Sequence, residues 1–131
     1  MKILIAEDDL VSRKFLSKVL GKYGECDLVV DGLEAIDAYM ISLNDKEPYD
    51  LICLDIMMPK VDGVKVLKTI RDLEKQHNLS SDEKVKIIMT TALGETDIVQ
   101  TAFGYECDAY ASKPIDISKL IEVMKKLQLI E

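Results

Sequence analysis

The chain has 131 residues, about the size of one domain, with 48% apolar and 31% charged side chains, which is globular rather than disordered composition. Twenty-four acids against 17 bases give a net charge of −7, which argues against a nucleic-acid surface, because such a surface needs many Lys and Arg to displace counterions from phosphates. There is no Trp, and the three cysteines (Cys26, Cys53, Cys107) cannot all pair and are widely spaced, so a disulfide scaffold and a zinc clip are both disfavoured and a reducing, cytoplasmic setting is expected. No apolar run approaches the ~18 residues needed to cross a bilayer. Glu7 interrupts the apolar N-terminus too early for a signal-peptide core.

In chain order, the apolar period switches repeatedly. Ile3 to Ala6 is a short continuous run, as in a strand buried on both faces. Val11, Phe15, Leu16, Val19, Leu20 and Tyr23 recur at helical steps, with Gly24 as the stop. Leu28 to Val30 reads as a second strand, and Leu33, Ile36, Tyr39, Met40 and Leu43 as a second helix, closed off before Pro48. Leu51 to Leu54 is the clearest strand and stops at Asp55. A third helix carries Val64, Leu67, Ile70 and Leu73. Val85 and Ile87 to Met89 form a fourth strand, Ile98 to Phe103 a fourth helix, Asp108 to Ala111 a weak fifth strand, and Ile117 to Leu127 a fifth helix. The polar connection from Glu74 to Lys84 reads as a solvated loop or frayed helix end. Five strand–helix units imply a parallel sheet with helices on both faces. Sites in such sheets lie beyond the carboxyl ends of the strands, where strand order reverses.

Those ends carry a consistent chemistry. The first strand ends at Glu7, Asp8 and Asp9, the third at Asp55, the fourth at Thr90 and Thr91, and the fifth at Ser112, Lys113 and Pro114. Clustered carboxylates repel and lose hydration, so the set asks for a cation. Oxygen ligands without His or Cys favour a hard ion, Mg²⁺ above all, with Mn²⁺ as a substitute. Lys113 can neutralise a carboxylate or a phosphate oxygen, Thr91 offers a hydroxyl, and a carboxylate can itself act as a nucleophile and form an aspartyl phosphate. Phosphoryl transfer asks the protein for positioning and charge cancellation rather than covalent work. Taken singly, each residue has a plainer reading: Asp9 as a helix cap, Asp55 as a turn residue, Thr91 as a local backbone hydrogen-bonder, Lys113-Pro114 as a loop. The specificity lies in the combination.

These residues resemble the receiver domain of two-component response regulators, the CheY-like family. The resemblance rests on Glu7-Asp8-Asp9, on the segment from Asp50 through Asp55 and Pro59 to Asp62-Gly63, on Thr91-Ala92, and on Tyr110 three residues before Lys113-Pro114. It implies a flavodoxin-like (βα)5 three-layer α/β sandwich with a five-stranded parallel sheet of order 2-1-3-4-5. It further implies a single receiver domain over residues 1–131 with no output domain. Carried over position by position, Asp55 is the phosphoacceptor. Asp8, Asp55 and the Met57 backbone carbonyl hold Mg²⁺, and Glu7 acts through a coordinated water. Thr91 and Lys113 bind phosphoryl oxygens, Tyr110 changes rotamer with the switch, and the Lys113–Pro114 bond is cis. Such a domain is a signalling phosphoacceptor rather than an enzyme. Its partners are a sensor histidine kinase or phosphotransfer protein and a downstream protein that reads the surface of the fourth helix, fifth strand and fifth helix. No nucleic acid or membrane is involved, and the domain is a monomer or dimerises on phosphorylation.

Met57 and Leu93, two residues beyond the phosphoacceptor and the threonine, occupy the family's positions that tune dephosphorylation. Neither hydrogen-bonds an attacking water strongly, so a long-lived phosphorylated state is expected. Three other readings compete. An aspartate-type, metal-dependent phosphatase would want a second Asp where Met57 stands. An FMN-binding flavodoxin would want a Gly- and hydroxyl-rich loop in place of Glu7-Asp8-Asp9. A scaffold receiver that is never phosphorylated would have no need of the intact acid–Thr–Lys set. His77, the only histidine, sits in the polar connection and is a poor phosphorelay residue.

Overall fold

Strands that are apolar at every position can form only where both faces are covered, and the chain supplies that cover by alternating strand and helix. In the computed structural model, which describes residues 1–92 and 97–131 in full and the backbone of Thr96, the order is β1 (Lys2–Ala6), α1 (Leu10–Leu20), β2 (Glu25–Val29), α2 (Gly32–Asn44), β3 (Leu51–Asp55), α3 (Gly63–Gln76), β4 (Lys86–Thr91), α4 (Thr96–Gly104), β5 (Ala109–Ser112) and α5 (Ile117–Lys126), with a short 3-10 turn at Ser81–Glu83. The strands form one parallel sheet in the order β2-β1-β3-β4-β5. Expected order and observed order agree.

Every residue of β3 is buried. Ile52 and Leu54 face one core together with Leu4, Ile87 and Met89, and pack on Ala35 and Tyr39 of α2, Val66, Leu67 and Ile70 of α3, and Ala102 of α4. Leu51 and Cys53 face the other core with Ile3, Ile5 and Ile88, closed by Leu16 and Leu20 of α1 and Leu120 and Met124 of α5. Each fully buried Leu or Ile contributes about 1.5–3 kcal/mol. Beyond this, the connection from β1 goes to one side of the sheet (β2) and the chain then returns past β1 to β3, so strand order reverses between β1 and β3. The first acids beyond β1, and Asp55 at the end of β3, therefore flank the reversal.

Several boundaries differ from the sequence reading. Helix α1 ends at Leu20, with the Gly21 N–H bonded to the Ser17 carbonyl, four residues short of the expected end. Its buried line is Leu16, Val19 and Leu20, while Val11 is 75% exposed. Strand β2 starts at Glu25 rather than Leu28, because an edge strand is specified by its backbone register with β1 (Lys2 opposite Glu25) as much as by apolar side chains.

The connection from Glu74 to Lys84 is exposed at residues 75–78 and 80–83, as a solvated stretch should be, and the larger correction concerns Glu74. Glu74 is not solvated: it is 0% exposed on the last turn of α3. Its carboxylate accepts from Arg71 at 2.7 Å, from the Val85 backbone N–H at 2.8 Å and from the Tyr39 hydroxyl at 3.3 Å. Arg71, also buried, donates to the Val85 and Glu106 carbonyls and to Asp108, whose carboxylate in turn accepts from the Ile87 N–H. This network joins α3 to the start of β4 and to the turn before β5. Buried charge persists only when paired and fully hydrogen-bonded, as here.

Candidate functional site

Acids at strand ends divide by role. Asp9, Asp31, Asp62 and Asp116 are N-caps of α1, α2, α3 and α5, accepting from the backbone N–H of Ser12, Glu34, Lys65 and Lys119. A cap of this kind is worth about 1 kcal/mol. Glu7, Asp8 and Asp55 cap nothing. Their carboxylate oxygens lie within 4.8 Å of one another, with Glu7 and Asp55 buried and Asp8 exposed. Lys113, from just beyond β5, reaches across to them: its ammonium is 2.6 Å from Glu7 and 3.2 Å from Asp55.

The local chain holds this geometry. Asp55 receives the Met57 N–H at 3.4 Å, and the Ile56 N–H donates to the Thr90 carbonyl. A Cβ at position 63 would land on the Asp55 carbonyl oxygen, so Gly63 lets α3 start close behind the acid. The Lys113 N–H donates to the Thr91 carbonyl at 2.7 Å, extending the β4–β5 pairing up to the lysine.

Burial, together with a hydrogen bond from the protonated Asp55 to Glu7 and the charge of Glu7, pushes the Asp55 carboxyl up to about 7, against the opposing pull of Lys113. Burial also works to raise Glu7, but bonds from Asp55, Lys113 and the Asp9 N–H outweigh it and hold Glu7 below its usual range. Burial would lower Lys113, and its two carboxylate partners overcome this and raise it. Without a metal, then, burial and the mutual repulsion of the pair favour the protonated form of Asp55 and the ionised form of Glu7. The donor set fits a hard divalent ion: three carboxylates, no nitrogen or sulfur, and a buried acid that ionises readily only if a cation joins it.

Thr91 ends β4, 3% exposed, with its hydroxyl on the Ala92 carbonyl at 3.0 Å. Tyr110 lies on β5, 47% exposed, its ring edge-on to Phe103 of α4 at 5.9 Å. Met57 is exposed beside Asp55. The Lys113–Pro114 peptide is cis. Leu93 lies outside the described residues. His77 is exposed at the end of α3, where it serves as the C-cap.

Sequence reading missed Arg13. From the first turn of α1 its guanidinium donates to the backbone carbonyls of Glu7 (3.0 Å) and Asp8 (3.2 Å), bracing the acidic turn. The available signal was a basic side chain one helical turn past the Asp9 cap. Asp31 and Lys60, an ion pair at 3.4 Å across α2 and the segment after Asp55, were likewise not foreseen as a pair.

Comparison with known proteins agrees with this architecture. Residues 3–125 match the model of the response regulator receiver domain. The chain is 32% identical over 126 residues to sporulation initiation phosphotransferase F of Bacillus subtilis, covering 95% of this chain and 91% of that protein. Among curated relatives the covered share falls as low as 5%, in hybrid signal transduction histidine kinase M of Dictyostelium discoideum, and is 7% in hybrid signal transduction histidine kinase L of the same organism. Among solved structures, the chain is similar to one of a CheX–CheY–BeF3–Mg²⁺ complex from Borrelia burgdorferi (TM-score 0.83, 25% identity, covering 100% of this chain and 90% of that one). It is also similar to one from a co-crystal of the Saccharomyces cerevisiae histidine phosphotransfer protein Ypd1 with the receiver domain of Ssk1 (TM-score 0.81, 25% identity, covering 99% and 92%). Among the described residues no helix is long and apolar enough to cross a membrane. The family model spans nearly the whole chain, and the strand order agrees with the fold of these neighbours: this protein belongs to the response regulator receiver domain family.

Proposed function

We propose that Asp55 accepts a phosphoryl group from the phosphohistidine of a kinase or phosphotransfer protein, with Mg²⁺ bound by Asp8, Asp55 and the Met57 carbonyl and with Glu7 behind them. The observation that carries this reading is a buried aspartate 3.2 Å from a lysine ammonium, with two further carboxylates within 4.8 Å, at the reversal of strand order. Bound Mg²⁺ supplies charge cancellation for the carboxylates and the phosphoryl oxygens. The chain does the rest. With the cation bound, Asp55 has released its proton to water and offers a carboxylate oxygen in line. A phosphorus–oxygen bond forms as the phosphorus–nitrogen bond breaks, and the imidazole leaves with the electron pair. Lys113 remains ion-paired through the transfer and takes a phosphoryl oxygen. Thr91 turns its hydroxyl from the Ala92 carbonyl to another.

Leu10, Val11 and Met57 are exposed apolar side chains on the segments that follow Asp9 and Asp55, a suitable rim for a phosphodonor protein. Departure of Thr91 toward the phosphoryl group opens room for Tyr110, and the α4–β5–α5 face that carries Tyr110 and Phe103 changes shape for a downstream reader. The same site serves transfer and self-hydrolysis only, so the domain acts as a signalling phosphoacceptor. Intact-mass measurement after incubation with a small phosphodonor and Mg²⁺ tests this: one phosphoryl group added to wild type and none to Asp55→Ala is expected. No uptake by wild type, or full uptake by Asp55→Ala, would overturn it.

A further inference from the structure

The segment after the phosphoacceptor, residues 56–62, is not held by its own strand and helix alone. Its inner end is fixed, since Ile56 bonds β4 and the Gly63 N–H returns to the Ile56 carbonyl at 2.7 Å. Its outer end leans on a different element. The Gly32 N–H, on the first turn of α2, donates to the Pro59 carbonyl at 3.4 Å. Lys60, held at φ 68, extends its ammonium to within 3.4 Å of Asp31, which is 6% exposed and caps the same helix. A Cβ at position 32 would land on the Val61 carbonyl oxygen and crowd the Val61 carbonyl carbon and Cβ, both at 2.8 Å. Backbone meets backbone here, so no side-chain rotation can relieve the clash, and the loop itself must move.

We infer that Gly32 and Asp31 are positioning residues of the Asp55 site: they form the seat that sets the height of the 56–62 loop, and through it the Met57 backbone. The inference rests on the reading of Asp55, Asp8 and Met57 given above. Met57 lies between a fixed point at Asp55 and the seated residues Pro59 to Val61. Displacing the seat therefore moves the Met57 carbonyl relative to the carboxylates, and metal ligation is sensitive to shifts well below a bond length. Lys60 in the left-handed region shows the seat bearing cost, since a non-glycine residue holds that conformation only when its surroundings require it.

The test is Mg²⁺ titration by isothermal calorimetry on the folded chain, with thermal unfolding followed in parallel. Gly32→Ala should weaken Mg²⁺ binding by about tenfold or more, the range seen when partners of metal ligands are disturbed. Asp31→Asn keeps a capping oxygen but loses the charge pairing with Lys60, and should weaken binding by about threefold with helix content unchanged. Should Gly32→Ala fail to fold, the Asp31→Asn titration decides the matter. Met124→Ala, a destabilising change in the core on the opposite face, separates positioning from general softness and should bind Mg²⁺ as wild type does. Wild-type-like affinity in both loop-seat variants, or an equal loss in Met124→Ala, would overturn this inference alone. A wild type that binds no Mg²⁺ would instead overturn the reading of the site on which it stands.

Discussion

The Lys113 ammonium lies 2.6 Å from the carboxylate of Glu7, a residue only 1% exposed. The pair closes the base of the acid cluster, and the same ammonium is the cation nearest Asp55. Removing it leaves two buried carboxyls facing each other. Lys113→Ala should cost about 3 kcal/mol of stability in metal-free buffer, as expected when one partner of a buried pair is lost, and Mg²⁺ should restore part of it. Urea unfolding with and without the ion measures both.

The contribution of Asp55 to the pH dependence of the metal-free protein has a definite sign. Asp55 ionises near 3.8 in the unfolded chain and at about 7 in the fold. Across that window the folded state binds the extra proton, so the contribution of Asp55 to stability is complete below the lower value and is lost as the pH rises through the upper one. Asp55→Asn removes this slope. The variant should exceed wild type in stability by on the order of 2 kcal/mol at pH 8, with the difference vanishing near pH 4. Adding Mg²⁺ should flatten the wild-type profile. Denaturation midpoints at three pH values suffice.

Met57 stands exposed beside Asp55 and offers no strong hydrogen bond to an incoming water. A phosphorylated state longer-lived than in relatives with amide or acid side chains there is expected. Met57→Asn combined with Leu93→Glu should shorten it by about tenfold or more, the scale of a positioned water-activating group. Decay of phosphorylated protein followed by intact mass gives the rate. Rapid loss in wild type that the double change leaves unaltered would count against the assignment.

Away from the site, Arg71 and Glu74 form an ion pair that is almost wholly buried. Arg71→Met alone strands the Glu74 carboxylate and should destabilise by about 3–5 kcal/mol. Combining it with Glu74→Gln should recover part of that loss, because the fully buried carboxylate is then neutral and only the partly exposed Asp108 is left without its guanidinium. Chemical denaturation of the two variants checks the difference.

What was legible in the sequence follows from what one chain can encode locally. Glu7, Asp8, Asp55, Thr91 and Lys113 stood out because each ends an apolar run, and strand order then brings run ends together. Asp9 read alone as a cap is a cap. What was not legible depends on partners far along the chain. Glu74 looks like one more polar residue in a polar stretch until Arg71, Tyr39 and Val85 close around it. The seat at Gly32 is invisible in sequence because it depends on the Val61 carbonyl, in the loop after a different strand. The end of α1 was misjudged because Tyr23 continues the apolar rhythm after the helix has stopped; it packs on the same core from a turn.

The central claim is that Asp55 itself carries the phosphoryl group. Borohydride reduces an acyl phosphate to an alcohol, so phosphorylated protein treated this way and mapped by peptide mass spectrometry should carry homoserine at position 55 and nowhere else. Reduction at Asp8 or Glu7, or no reduced residue in a chain that has gained phosphate, would contradict the account.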